Sequence, residues 1–206
     1  MSRLKAIFPD DWQYILEVYR QAASPPGTEQ FEDRLLLILL EISVKFGERL
    51  SNYLTSGFVE IGCGMAIPSL TLAKLGRPDV LAIDVDSEII AKAEAIKEKV
   101  GCDLEIRCAD VFKDRPKLQK GQMLIAEKPA SYKKNTLEVE YNISNWCKIE
   151  GYNFAIIPMF LTTDTRGLYF QRCAKYEKKL RQTGFKVENK RVVNELPIRW
   201  LIATKW

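Results

Sequence analysis

The chain has 206 residues, 47% hydrophobic and 28% charged, which suits one sizeable globular domain with a small extension and excludes a disordered polymer. Its formal net charge of +4 is only a weak bias toward anionic partners. Five cysteines (Cys63, Cys102, Cys108, Cys147 and Cys173) form no C-x-x-C pair, which argues against a disulfide framework or a zinc centre and for a reducing compartment. Histidine is absent, so Ser-His and Cys-His nucleophiles and the common histidine metal sites are excluded, and no metal is expected. The N-terminus lacks an apolar core of signal-peptide length. The apolar run from Leu35 to Leu40 is hemmed in by Asp33, Arg34, Glu41 and Lys45 and is too short to span a bilayer. A cytoplasmic protein without membrane partners is expected.

In chain order, residues 9–22 read as a helix, with Asp10 or Asp11 at its start and Trp12, Ile15, Leu16 and Tyr19 at helical spacing. Ser24-Pro-Pro-Gly27 breaks it, and Thr28 offers a cap for a second helix running to about Tyr53. That helix is apolar around most of its circumference near Leu35 to Leu40. It is therefore expected to be buried on two sides, as a core helix, beneath a lid or in a homodimer. Residues 58–61 read as the first strand, followed by a glycine turn and a helix over 68–75 ended by Gly76. A second strand is expected over 79–84, a helix over 87–100 with Ser87 or Asp86 as cap and Gly101 at its end, and a third strand over 103–110. Strands at 122–126 and 152–160 flank a helix at 136–149, and Pro158 belongs near a strand end because it cannot donate to a ladder. A helix over 168–183 closes at Gly184, and two last strands, 185–193 and 198–205, are joined through residues 194–197. The fold class expected is α/β: a doubly wound, mostly parallel seven-stranded sheet with an antiparallel C-terminal strand pair. An N-terminal helical extension at 1–49 precedes a ligand-binding domain at 50–206.

Such sheets bind ligands at the carboxyl ends of their strands. The stretch Phe58-Val-Glu-Ile-Gly62-Cys-Gly64-Met-Ala66-Ile-Pro68 runs from a buried strand through a glycine turn into a helix N-terminus, where backbone N–H groups can face an anion. A dinucleotide fingerprint would need glycine where Ile67 stands, and Glu60 would repel a pyrophosphate. A ligand with a cation and a ribose but no phosphate removes the conflict. S-adenosylmethionine is one: its amino group and sulfonium tolerate Glu60, its carboxylate suits the helix N-terminus, and Asp84, about twenty residues on, can accept from the ribose diol.

Glu60-Ile-Gly62-Cys63-Gly64-Met-Ala66 resembles the first motif of class I (Rossmann-like) S-adenosylmethionine-dependent methyltransferases, with Ala66 in place of the last glycine. Ile83-Asp84-Val85-Asp86 resembles the second motif, and Cys108-Ala-Asp110-Val111-Phe112 the third. The resemblance covers residues 50–206 and implies methyl transfer from S-adenosylmethionine to an unidentified acceptor: a small molecule, RNA or a protein. It implies a cofactor site formed by Glu60, Gly62, Cys63, Gly64, Ala66, Asp84, Val85, Asp110, Val111 and Phe112. Asp84 would take the ribose, Asp110 the adenine amino group, and Val85 and Phe112 would pack on the adenine ring. After the fourth strand, where many relatives carry Asn/Asp-Pro-Pro-aromatic, this chain has Glu127-Lys128-Pro129-Ala-Ser-Tyr132. Glu127 and Tyr132 are the candidate catalytic residues on the acceptor side. Lys113, Arg115, Lys117, Lys120, Lys133 and Lys134 form a candidate basic surface for RNA. The departure at the fourth motif keeps an alternative open: a non-catalytic cofactor-binding protein, or a partner subunit of an RNA-modifying complex.

Overall fold

The computed structural model describes residues 2–23, 33–52, 57–110, 122–125, 154–159, 177–178, 181–182, 184–191 and 199–204. They fall into two compact units, Met1–Ala109 and Asp110–Trp206.

The first unit is built on three parallel strands. β1 (Phe58–Ile61) and β3 (Glu105–Cys108) each pair with β2 (Val80–Asp84), so β2 is central. Ile61 lies opposite Ile83, and Asp84 opposite Cys108. All four residues of β1 are buried, as are all but Leu81 in β2, which is the near-continuous burial of strands covered on both faces. β3 exposes Glu105, Arg107 and Cys108 and is shorter than the alternation over 103–110 predicts. Two helices carry the chain back between parallel strands, α4 (Ile67–Lys74) and α5 (Ser87–Val100). Gly76, at φ 77°, and Gly101, at φ 63°, end them as predicted, since only glycine enters the left-handed region without a steric cost. The cap of α5 is Asp86 rather than Ser87. Asp86 precedes the first helical residue, and its Oδ1 accepts from the N–H groups of Glu88 and Ile89.

The N-terminal helices belong to the same unit. The helix predicted over 9–22 is α2 (Trp12–Ala23), and a short helix that the sequence does not announce, α1 (Arg3–Ile7), precedes it. Five residues carry too little periodicity to be recognised, and α1 owes its existence to tertiary contacts. Ser2 caps it, the Glu41 carboxylate of α3 (Asp33–Leu50) accepts from the Arg3 N–H at 2.7 Å, and Arg3 forms an ion pair with Glu48. Leu4 and Phe8 are fully buried beneath it. α3 ends at Leu50 in a turn, short of the predicted Tyr53. Leu36 and Leu40 are buried within the chain. Thr28 and the Ser24–Gly27 break lie outside the described residues.

In the second unit, β4 (Gln122–Ile125) runs parallel to β5 (Phe154–Met159), with Met123 opposite Ala155. Pro158 is the penultimate residue of β5, close to the end where it was expected. Residues 177–178 and 181–182 are helical, and Gly184 follows at φ 91°. Strands β6 (Lys186–Arg191) and β7 (Arg199–Thr204) complete the described part. The helix predicted at 136–149 and the connection at 194–197 lie outside it. No helix among the described residues is long and apolar enough to cross a membrane.

Candidate cofactor site

The carboxyl ends of β1 and β2 lie side by side, and the site grows from them. β1 passes into a turn in which Gly62 sits at φ 67° and Gly64 at φ 55°. The turn is tied to the neighbouring strand by the Cys63 N–H, which donates to the Ile83 carbonyl at 3.1 Å, and is closed by the Ala66 N–H on the Cys63 carbonyl. Ala66 is itself left-handed, at φ 55°, and fully buried. It stands where the family motif has its last glycine, so this chain adopts the glycine conformation with an alanine, at a cost of about 1–2 kcal/mol.

Ala66 also occupies the N-cap of α4 and has no side chain with which to cap. Glu60 does so from the strand. Its Oε2 accepts from the N–H of Ser69, the third helical residue, at 3.1 Å, and from the Ser69 hydroxyl. This is the bond an N-cap serine or aspartate ordinarily makes to its own helix, supplied from a residue nine positions back. Glu60 is only 1% exposed. Burial, the dominant effect, pushes its carboxyl up to about 8; the Ser69 hydrogen bonds oppose this, and the charge of Asp84 adds to it. Near neutral pH it is therefore largely protonated.

Asp84, at the end of β2, is buried too, and the two oxygens of its carboxylate have separate tasks. Oδ2 accepts from the Gly64 N–H at 2.8 Å and Oδ1 from the Asp86 N–H at 3.0 Å. Asp84 thus joins the turn after β1 to the turn after β2. A carboxylate offers about four acceptor positions, so holding both turns is compatible with receiving a diol. Val85, immediately beyond it, is 69% exposed, one of three exposed large apolar side chains among the described residues. A flat apolar ligand beside Asp84 would cover it. Asp110 is half-buried, two residues beyond Cys108, the register partner of Asp84. Cys63 is buried, its thiol directed at the Gly64 carbonyl at 3.5 Å, as a packed turn residue rather than a presented nucleophile. Of the expected site, Glu60, Gly62, Cys63, Gly64, Ala66, Asp84 and Val85 are thus drawn together in the first unit. Val111, Phe112, Glu127, Tyr132 and the basic residues from Lys113 to Lys134 lie outside the described residues.

Two contributors went unrecognised in the sequence. Tyr19 of α2 counted only as part of an apolar stripe, yet its hydroxyl is desolvated and hydrogen-bonded to Ser43 of α3, and it lies within Coulombic reach of Glu60; burial, the larger effect, and the Glu60 charge push the phenol up, while Ser43 pulls it down. Gly47 of α3 is the other. A Cβ there would stand 2.7 Å from the Pro68 carbonyl oxygen and 2.8 Å from the Thr71 Cβ, so α3 lies directly against the first turns of α4. A glycine inside the last turn of the helix, rather than beyond its end, was the available signal.

Parallel strands with helical crossovers, a left-handed glycine turn after the first strand and an acid closing the second are the features of the class I S-adenosylmethionine-dependent methyltransferase fold. Solved structures agree. Magnesium protoporphyrin IX methyltransferase from Synechocystis PCC 6803 with bound SAM is similar at a TM-score of 0.66 and 14% identity, covering 100% of this chain and 98% of that one. Ribosomal protein L11 methylase from Lactobacillus delbrueckii subsp. bulgaricus is similar at a TM-score of 0.57 and 17% identity, over 81% of this chain and 78% of that one. In sequence, ribosomal protein L11 methyltransferase of Thermosipho africanus (strain TCF52B) is 38% identical over 74 residues, 35% of this chain and 27% of that protein. The Thermotoga neapolitana protein of the same name is 26% identical over 122 residues, 52% of this chain and 46% of that protein. The chain thus spans less than half the length of these relatives. No protein-family model matches it.

Proposed function

We propose that this protein binds S-adenosylmethionine and transfers its methyl group to an acceptor. The observation that carries this reading is Asp84: a buried carboxylate at the end of β2, fixed by the Gly64 and Asp86 N–H groups beside a glycine turn, with an exposed valine next to it. This is a place for a ribose diol and a purine face. The Glu60 carboxyl, two residues before Gly62, suits an ammonium group, which its ionised form would attract. Asp110, Val111 and Phe112 complete the adenine end in this reading.

When bound, S-adenosylmethionine supplies an already activated methyl group. The remaining work of the chain is alignment: Asp84 fixes the nucleoside, the turn at 62–66 receives the amino-acid end, and Glu127 or Tyr132 receives a proton where the acceptor has one to lose. The fold belongs to the same proposal, a seven-stranded doubly wound sheet with an antiparallel pair at its end. In support, β5 registers antiparallel to β7, with Phe154 opposite Thr204, and β7 antiparallel to β6, with Lys186 opposite Thr204. Residues 1–49 act as a cap on a binding domain at 50–206, in a cytoplasmic protein.

The names of the sequence relatives make ribosomal protein L11 the first acceptor to test. The assay is release of S-adenosylhomocysteine on addition of L11, then of RNA and small-molecule acceptors. Product formed in proportion to acceptor is the expected result. Stoichiometric cofactor binding without product across the panel would instead favour the non-catalytic alternative, a partner subunit of a modifying complex, for which the departure at Glu127–Tyr132 is the motive.

A further inference from the structure

Glu60 is a buried acid whose surroundings, among the described residues, contain donors and negative groups but no ion-pairing cation. From α4 the Ser69 N–H and hydroxyl donate to it, while Asp84 of β2 and Tyr19 of α2, whose hydroxyl is hydrogen-bonded to Ser43 of α3, lie within Coulombic reach. α3 packs directly on the first turns of α4, the helix that carries Ser69, at Gly47. A carboxylate at Glu60 is opposed by desolvation, the larger effect, and by the charge of Asp84, and favoured by the two Ser69 hydrogen bonds. The turn at 62–66, which follows it in the chain, is where the proposed cofactor would place its ammonium group.

We propose that Glu60 selects the ligand by charge: it holds a proton while the site is empty and gives that proton to solvent when a ligand ammonium group arrives over the 62–66 turn. This rests on the reading of the site as one for S-adenosylmethionine. The step is balanced: the carboxyl O–H bond of Glu60 breaks, the proton leaves to buffer, and the resulting carboxylate faces the incoming cation. Ser69 keeps its two hydrogen bonds to Oε2 in both states, so α4 stays capped throughout. The nucleoside end, held by Asp84, takes no part in the proton change. Ligands that share the nucleoside and differ only at the amino-acid end must therefore differ in their proton linkage.

The test is titration calorimetry in buffers of different ionisation enthalpy, which counts protons released. S-adenosylhomocysteine carries the ammonium group; 5′-methylthioadenosine has the same nucleoside and no amino-acid end. Between pH 6 and about 8, S-adenosylhomocysteine should release close to one proton and its affinity should rise about tenfold per pH unit. Methylthioadenosine should release none and bind independently of pH. Glu60→Gln, which keeps an acceptor for Ser69, should abolish the proton release and the pH slope for S-adenosylhomocysteine and leave methylthioadenosine unchanged. Should that variant fail to fold, the proton counts of the two ligands on the natural protein decide alone. Equal proton release for both ligands, or none for S-adenosylhomocysteine, overturns the inference and leaves the cofactor reading standing. Failure of both ligands to bind overturns the cofactor reading and the inference with it.

Discussion

Ala66 concentrates the local conflict of the turn. A buried, left-handed alanine caps a helix it cannot hydrogen-bond, and Glu60 makes the missing bond from the adjacent strand. Substitution by glycine removes the left-handed cost of about 1–2 kcal/mol while losing a buried methyl and adding unfolded-state entropy, so the terms nearly cancel. Ala66→Gly should change stability by less than about 1 kcal/mol. Ala93, equally buried in the middle of α5, has no such strain to relieve, and Ala93→Gly should cost about 1.5–2 kcal/mol. Denaturant midpoints of the two variants check this; equal losses at both positions would contradict the strained-turn account. The conflict at Ala66 was legible in part: the sequence marks it as a departure from glycine, but that Glu60 caps the helix follows only from the register of β1 against α4.

At the scale of elements, Gly47 shows what periodicity cannot see. An apolar helix such as α3 declares that it is buried, not against what, and the close approach to Pro68 and Thr71 of α4 appears only in three dimensions. Gly47→Ala gains up to about 1 kcal/mol of helix propensity but forces backbone or a β-branched side chain to move, a cost of about 1–3 kcal/mol. The net expectation is a loss of stability together with weakened cofactor affinity, because the displaced turn of α4 carries Ser69. A variant as stable as the natural protein, with unchanged affinity, would show that the approach is looser than described. The elements read correctly were those with strong local signals. β1 matches its expected limits of 58–61, and α5 matches 87–100. α1 was missed because its determinants, Glu41 and Glu48, lie nearly forty residues or more away in the chain.

Across the whole molecule, Glu60 makes folding depend on pH. Its pKa rises from 4.5 to about 8 on folding, so between those values the folded protein holds a proton that the unfolded chain has lost. Its contribution to stability is fully present below about 4.5 and is lost as pH rises through about 8. Measured as the stability of Glu60→Gln relative to the natural protein, the difference should shift in favour of the variant from pH 5 to pH 8, by something on the order of a few kcal/mol, and level off above that. Urea unfolding at a series of pH values reads this directly; a difference independent of pH would mean that Glu60 is ionised in the folded state. The same acid, placed just before the glycine turn, is what distinguishes in the sequence a dinucleotide fingerprint from a site for a cofactor with an ammonium group. The acceptor side remained illegible because its candidates, Glu127 and Tyr132, follow β4 with no recognisable motif.

The proposed hold on S-adenosylmethionine rests on the turn at 62–66 and on Asp84. Titration calorimetry of the natural protein and of Asp84→Ala with S-adenosylmethionine, S-adenosylhomocysteine and NAD tests it most directly. The account predicts one-to-one binding of the first two and none of NAD, with Asp84→Ala weakening affinity by roughly 1.5–3 kcal/mol, about ten- to 150-fold. Binding of NAD in their place, or an affinity for S-adenosylmethionine that Asp84→Ala leaves unchanged, would contradict it.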